Sequence, residues 1–120
     1  MGEWKEKNVF VTGADGFIGS WIAKELVDQK ANVTILVRDL KKNAAFDLHG
    51  LRDKVNLVQG DLVDLPVLQR ALSQYEVESV FHIAAQAIVG IANESPLSTF
   101  ESNIKGTWNL LEASRKSKSV

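Results

Sequence analysis

The chain has 120 residues, enough for one small domain and too few for two. Its 14 basic residues are balanced by 15 acidic ones, which argues against a nucleic-acid or membrane-surface role driven by charge. With 45% apolar and 24% charged residues it can bury a core, and with no cysteine it has neither a disulfide framework nor a cysteine-based zinc site, as suits a reducing cytoplasm. Met1 to Lys7 is a polar lead-in without an apolar signal core, in which Trp4 either covers a sheet edge or lies exposed. No apolar run approaches the length of a membrane span, and a single domain is expected from residue 8 to residue 120.

Val9, Phe10 and Val11 form a short apolar run of the kind a buried parallel strand shows, and a glycine turn follows at once. Beyond it Ile18, Ile22 and Leu26 recur at helical spacing, with Trp21 and Val27 beside them, which predicts a helix that packs along this stripe and closes near Lys30. Gly13, Gly16 and Gly19 therefore lie between a strand and a helix. There they have separate uses: a tight turn at Gly13, the approach of a pyrophosphate at Gly16, and close packing of helix on strand at Gly19. The free N–H groups and the dipole of the helix start then face the phosphates. The spacing is G-x-x-G-x-x-G and not G-x-G-x-x-G, and no Lys-Ser or Lys-Thr follows the last glycine as a P-loop requires.

Asn32 to Val37, rich in β-branched residues, reads as a second buried strand and completes a β-α-β unit by Arg38. An acidic residue at this strand end accepts hydrogen bonds from the adenine ribose of NAD, whereas an arginine suits the 2′-phosphate of NADP. Counting from the glycines selects Asp39 as a ribose acceptor; Arg38, Lys41 and Lys42 offer charge to a phosphate, and equally read as a solvated turn and helix start. Leu40 to Leu51 reads as an amphipathic helix with Ala44, Ala45, Phe46 and Leu48 available for packing, Gly50 as its stop and His49 at the surface.

Val55 to Val58 reads as the third strand, with Gly60-Asp61-Leu62 just beyond it. Asp64 and Pro66 mark a helix start, and Leu65, Leu68 and Leu72 form its packing stripe up to Tyr75. Glu78 to Ala85 is a fourth strand ending in small residues, Ala84 and Ala85, against which a flat cofactor can lie. His82 reads as a packed histidine within that strand, and Gln86 as the substrate-side candidate. After a loop or broken helical turn from Ala87 to Glu94, Ser95-Pro96 starts a long helix with Leu97, Phe100, Ile104, Trp108 and Leu111 on one face, expected to lie on the sheet. Gly106 inside it costs about 1 kcal/mol against alanine and so calls for a reason, such as close helix approach.

The run Thr12-Gly13-Ala14-Asp15-Gly16-Phe17-Ile18-Gly19-Ser20 resembles the T-G-x-x-G-F-I-G-S of extended short-chain dehydrogenases/reductases, and the likeness extends from Asn8 to Ser117. Gln59-Gly60-Asp61-Leu62 is similar to the G-D-L/I element of that family, which implies that Asp61 and the Leu62 amide contact adenine. His82-Ile83-Ala84-Ala85-Gln86 resembles the H-x-A-A-Q/E segment of nucleotide-sugar dehydratases. The stretch Asn103 to Ala113 looks like the signature N-x-x-G-T-x-N-L-L-E-A, which implies that Asn103 hydrogen-bonds active-site backbone. Set against the family, the ribose-carboxylate position of NAD-type members falls on Val37, and Arg38 matches the arginine of NADP-type members. The resemblance therefore favours NADP, with NAD possible. The implied cofactor site comprises Gly13, Gly16, Phe17, Ile18, Gly19, Arg38, Asp61, Leu62, Ala84, Ala85, Gln86 and Asn103, with no catalytic residue and no metal ligand.

The fold so implied is α/β, a Rossmann-like doubly wound parallel sheet of order 3-2-1-4 with helices on both faces. The implied activity is that of a nucleotide-sugar 4,6-dehydratase of the CDP-glucose or GDP-mannose type, a lyase in which hydride leaves sugar C4, water is lost across C5 and C6, and hydride returns to C6. A 4-epimerase or reductase on the same scaffold, or a non-catalytic module that only holds a dinucleotide, are the alternatives. The family's Tyr-x-x-x-Lys pair does not occur in these residues, since Tyr75 is followed four positions later by Ser79. The expectation is the cofactor half of an enzyme, which meets a nucleotide-sugar only together with the other half. It would leave Val80, Phe81 and Ile83 on an open sheet edge that invites self-association.

Overall fold

A computed structural model of the chain describes residues 3–39, 45–84, 97 and 101–120. Four short strands form one parallel sheet in the order β3-β2-β1-β4: β1 Asn8–Thr12, β2 Asn32–Val37, β3 Asn56–Gln59 and β4 Ser79–His82. Val9 lies opposite Val33 and Val11 opposite Ile35 on one side of β1, while Val11 faces Phe81 and Thr12 faces His82 on the other. The order is the expected one, with β1 in the middle and the break in strand order beside it.

Because successive residues of a strand point to opposite faces, β1 feeds two cores. Val9 and Val11 join Val33, Ile35 and Val37 against Ala23 and Leu26 of α1 (Phe17–Asp28) and against Phe46 of α2 (Ala45–Leu48). Phe10, fully buried, joins Leu36 on the other face. That face is covered by Leu68, Ala71 and Leu72 of α3 (Leu65–Gln74) and by Leu110 and Ala113 of α4 (Gly106–Lys116). Helices on both faces follow from this alternation. Trp4 stands edge-on to Phe81 of β4, with ring centroids 5.3 Å apart, and so packs on the outer strand rather than lying in solvent.

The helix ends show how local sequence sets the boundaries. Asp64 caps α3 by accepting a hydrogen bond from the Val67 N–H at 3.4 Å, with Pro66 in the first turn. Asp64→Ala is expected to cost about 1 kcal/mol, read as a lower midpoint in urea. Gly50, at φ +66°, ends α2 while the amides of Gly50 and Leu51 bond back to Asp47 and Phe46. The same paired bonds close α1 at Lys30, φ +68°, and α3 at Glu76, φ 48°, neither of which is glycine.

Two packing stripes differ from expectation. On α1, Ile18 and Trp21 are 64% and 50% exposed, and the buried face is Gly19, Ser20, Ala23 and Leu26. The physical reason is contact distance: a Cβ on Gly19 would lie 2.0 Å from the Gly13 carbonyl oxygen, so small residues must face the sheet and the bulky ones turn outward. On the last helix Ile104, Trp108 and Leu111 are exposed, and Gly106, Asn109, Leu110 and Ala113 are buried. Ala113 packs with Leu68, Ala71 and Leu72 of α3, and the side chain of Asn109 donates to the Leu62 carbonyl at 2.9 Å, which fixes the helix's rotation. Leu48 is likewise exposed, while His49 packs against Trp21 at a centroid distance of 4.3 Å instead of standing alone at the surface. The expected roles of Lys41, Lys42, Ala44, Ala85, Gln86 and Ser95-Pro96 lie outside the described residues. No helix among the described residues is long and apolar enough to cross a membrane.

Candidate functional site

A parallel sheet brings the carboxyl ends of all its strands to one edge, and ligands of such sheets bind there, beside the reversal of strand order. Here that edge carries Thr12 and Gly13 from β1, Arg38 beyond β2, Gly60 to Leu62 beyond β3, and Ile83 with Ala84 beyond β4. Apart from Ala85 and Gln86, which are not described, the residues implied by sequence fall on this edge, on the start of α1 or just before α4. The shared edge is what unites them.

The glycine turn is built so that its three glycines are not equivalent. Gly13 has φ +81°, and a Cβ on it would meet the Ala84 nitrogen at 2.7 Å, so both its backbone and its neighbour demand glycine. Gly19 is demanded by the contact of α1 with the Gly13 carbonyl. Gly16 is different: its φ is −95°, and a Cβ there would meet nothing nearer than the Gly13 oxygen at 3.4 Å. Among the described residues, nothing requires a glycine at that position.

Gly16 is also the N-cap of α1 and provides no side-chain cap, and no acidic residue occupies the first turn. The Gly16 N–H closes the turn on the Gly13 carbonyl at 3.0 Å, and the Gly16 carbonyl accepts from Ser20. Asp15, Gly16, Phe17 and Ile18 are exposed. The helix start is thus an open array of N–H groups with the positive end of the dipole behind it, electrostatically ready for an anion.

Around this turn, Arg38 and Asp39 are both exposed and pair with each other, Nε to Oδ2 at 3.2 Å, while Val37 is fully buried and offers nothing to a ribose. The carboxylate of Asp61 accepts from the Val63 N–H at 3.2 Å, an Asx-type turn, and Asp61 remains only partly buried. Leu62 is buried and its carbonyl is held by Asn109. Asn103 sits in a π-helical turn, Glu101–Lys105, that leads into α4, and its carbonyl accepts from the Thr107 hydroxyl at 2.8 Å. Such turns interrupt helices most often at functional places.

Sequence reasoning passed over Thr12 and Thr107. Thr12 is fully buried, and its Oγ1 lies 3.1 Å from the Ile83 nitrogen, 3.2 Å from the Ala84 nitrogen and 2.7 Å from Nδ1 of His82. Thr107 Oγ1 lies 3.0 Å from Nε2 of the same ring. A polar residue at the end of an apolar strand, directly before the first glycine, was the signal for Thr12. His82 is the packed histidine expected, and burial pushes its pKa below the ordinary 6.5.

A separate open cleft of about 920 Å³ lies at the opposite, amino-terminal edge of the sheet, lined among others by Glu6, Asn8, Glu78, Lys116 and Lys118. Its charges are mixed, and it is on the wrong edge for a ligand of a parallel sheet.

The sequence model for GDP-mannose 4,6 dehydratase matches residues 10–120, which includes every strand end of the site. The chain belongs to this dehydratase family. Among its relatives, the CDP-glucose 4,6-dehydratase of Salmonella typhimurium is 36% identical over 110 residues, covering 91% of this chain and 31% of that protein. The UDP-glucose 4-epimerase of Mycoplasma pneumoniae is 37% identical over 113 residues, covering 94% and 33%. A UDP-glucose 4-epimerase from Thermus thermophilus, solved in complex with NAD, superposes with a TM-score of 0.81 at 34% identity, covering 93% of this chain and 35% of that one. The chain spans about a third of the length of the curated relatives it matches. Within the family, then, the glycine turn, the Asp61 segment, the end of β4 and the π-turn belong to one matched region.

Proposed function

We propose that this chain is the nicotinamide-dinucleotide-binding part of a nucleotide-sugar 4,6-dehydratase. The observation that carries this is Gly16. The described residues explain Gly13 and Gly19 and give Gly16 no structural cause, while the space above it adjoins an uncapped helix start. A pyrophosphate lying against that backbone supplies the cause. On this reading Phe17, Ile18 and Gly19 present their amides to the phosphates. Asp61 and Leu62 border adenine, Ala84 lies against the nicotinamide side, and Ala85, Gln86 and Asn103 complete that side. The likeness to UDP-glucose 4-epimerases supports a 4-epimerase as the second reading, since those relatives match over the same residues. With no Tyr-x-x-x-Lys pair in its 120 residues, the chain binds dinucleotide and does not turn over a nucleotide-sugar alone. Its cysteine-free composition suits the cytoplasm. Self-association through β4, the outermost strand among the described residues with Val80 and Phe81 on it, belongs to the same reading, and a light-scattering mass of one chain would remove it.

NADP is the favoured cofactor because Arg38 stands exposed at the end of β2 and the buried Val37 offers no acceptor to a ribose. NAD, present in the solved epimerase relatives, is the alternative. Titrating the chain with NADPH and with NADH by cofactor fluorescence tests both points. Arg38→Ala is expected to weaken NADPH about tenfold, ~1.4 kcal/mol, and to leave NADH unchanged. An equal effect on the two assigns Arg38 to its pair with Asp39 and withdraws the preference for NADP.

A further inference from the structure

His82 is held at both ring nitrogens, and the partners fix which one carries the proton. The Thr12 hydroxyl has two lone pairs, and the N–H groups of Ile83 and Ala84 point at it from 3.1 and 3.2 Å, the Ile83 N–H being shared with the Thr12 carbonyl at 3.2 Å. Its own proton is then the one shared with His82 Nδ1 at 2.7 Å, which makes Nδ1 an acceptor. At the other end the Thr107 hydroxyl donates to the Asn103 carbonyl at 2.8 Å, so it accepts from His82 Nε2 at 3.0 Å. Two independent ends give the same tautomer, neutral imidazole with the proton on Nε2.

The chain of donors runs from Thr12 through His82 and Thr107 to the carbonyl of Asn103. Its first member is the residue before Gly13, and the same hydroxyl holds the Ile83–Ala84 backbone that closes against Gly13. Its last member is the π-turn. We propose that His82 is a positioning residue whose neutral Nε2–H tautomer locks the glycine turn and the end of β4 to the π-turn of Asn103, and that adding a proton at Nδ1 releases this lock. This deepens the dinucleotide-binding reading and rests on it for its consequence on affinity.

The reason for release is a count of lone pairs. A protonated Nδ1 would bring a third donor to a hydroxyl that already accepts two, so the Ile83 N–H falls back on the Thr12 carbonyl alone, at 3.2 Å, and the hydroxyl's hold on the end of β4 weakens. The groups facing the ring from β1 and α4 are the hydroxyls of Thr12 and Thr107, with the Asn103 carbonyl behind; Lys105, on the π-turn, is exposed. Burial is what disfavours the charged ring, and no charged neighbour contributes among the described residues. The unfolded chain therefore binds more protons at this residue than the folded one. The contribution is fully present above the ordinary value of 6.5 and is lost as pH falls from there through the lowered folded value.

Nitrogen-15 spectra of the imidazole rings in the wild-type chain test the tautomer without any ligand; His49 is the other histidine and serves as reference. The expected result is a bare Nδ1 and a protonated Nε2 at neutral pH, with protonation in acid moving the amide signals of Gly13, Ile83 and Ala84. A proton on Nδ1 at neutral pH, or amides that do not follow the ring, would overturn the proposal. Dinucleotide affinity is then measured at about pH 7.5 and about pH 5.5 in wild type, His82→Gln and Thr107→Val, where the ligand's own titration is common to all three. Wild-type affinity is expected to fall about threefold or more relative to His82→Gln. Equal pH slopes in the two proteins would contradict the lock. Absence of dinucleotide binding at either pH would instead defeat the proposed function, and the ring spectra would still decide the tautomer.

Discussion

Replacing Gly16 with valine is expected to abolish dinucleotide binding while the chain stays folded. Among the described residues a Cβ there meets only the Gly13 oxygen, at 3.4 Å, and the backbone at φ −95°, ψ 174° is open to β-branched residues. The fold loses the modest advantage of glycine over an apolar N-cap, about 1 kcal/mol. The proposed ligand loses much more, because the side chain fills the space in front of the first N–H groups of α1, where the proposed pyrophosphate would lie. A fall in affinity of about a hundredfold or more, ~2.8 kcal/mol, is the expected reading by calorimetry, with an unchanged circular dichroism spectrum. Retained affinity would remove the pyrophosphate from this glycine.

Gly19→Ala is expected to do the reverse and act on the fold. The added Cβ would lie 2.0 Å from the Gly13 oxygen and 2.5 Å from its carbonyl carbon. Both are backbone atoms of the turn, so relief requires α1 to move off β1, and α1 carries Ala23 and Leu26 into the core beside Val9 and Val11. Overpacking of this kind costs about 3 kcal/mol or more, on the order of 10 °C or more in melting temperature for a chain this size. A wild-type melting temperature would mean that helix and turn are not in that contact. Taken together the two variants separate the uses proposed for the glycines, one to shape the protein and the other to leave room for a ligand.

Much of this was legible in the sequence, for physical reasons that differ by element. The four strands followed from short β-branched runs alternating with helical spacing, because strands buried on both faces show little else, and their order followed from the resemblance. The glycine turn could be placed because only such a turn puts three glycines between a strand and a helix. The helix faces were misjudged where bulky residues competed with small ones. Ile18, Trp21, Trp108 and Leu111 have perfect helical spacing, yet α1 and α4 bury Gly19, Ala23, Gly106 and Ala113, since close approach and not side-chain volume sets those contacts. Two helix ends were placed correctly, near Lys30 and Tyr75, but not how they close: Lys30 and Glu76 take the left-handed conformation that glycine takes at Gly50. Within the site, Asp61 and Asn103 were visible as motif residues. Thr12 and Thr107 reach β4 through single hydroxyls whose partners there lie 25 to 72 positions away in sequence, and no local pattern records that.

The cofactor preference was the least legible part. Arg38 and Asp39 stand side by side at the end of β2, and a sequence assigns one to a phosphate and the other to a ribose with equal ease. The structure pairs them with each other at the surface, an exposed ion pair that contributes little to stability and can open to a ligand.

The most direct test of the central claim is amide chemical-shift mapping of the nitrogen-15-labelled chain as NADP is added. The prediction is a saturable set of shifts at the carboxyl edge of the sheet: Gly13, Gly16 to Gly19, Asp61, Leu62 and Ala84. Shifts confined to the opposite cleft, at Asn8, Glu78 and Lys116, or no saturable shifts at all, would contradict it.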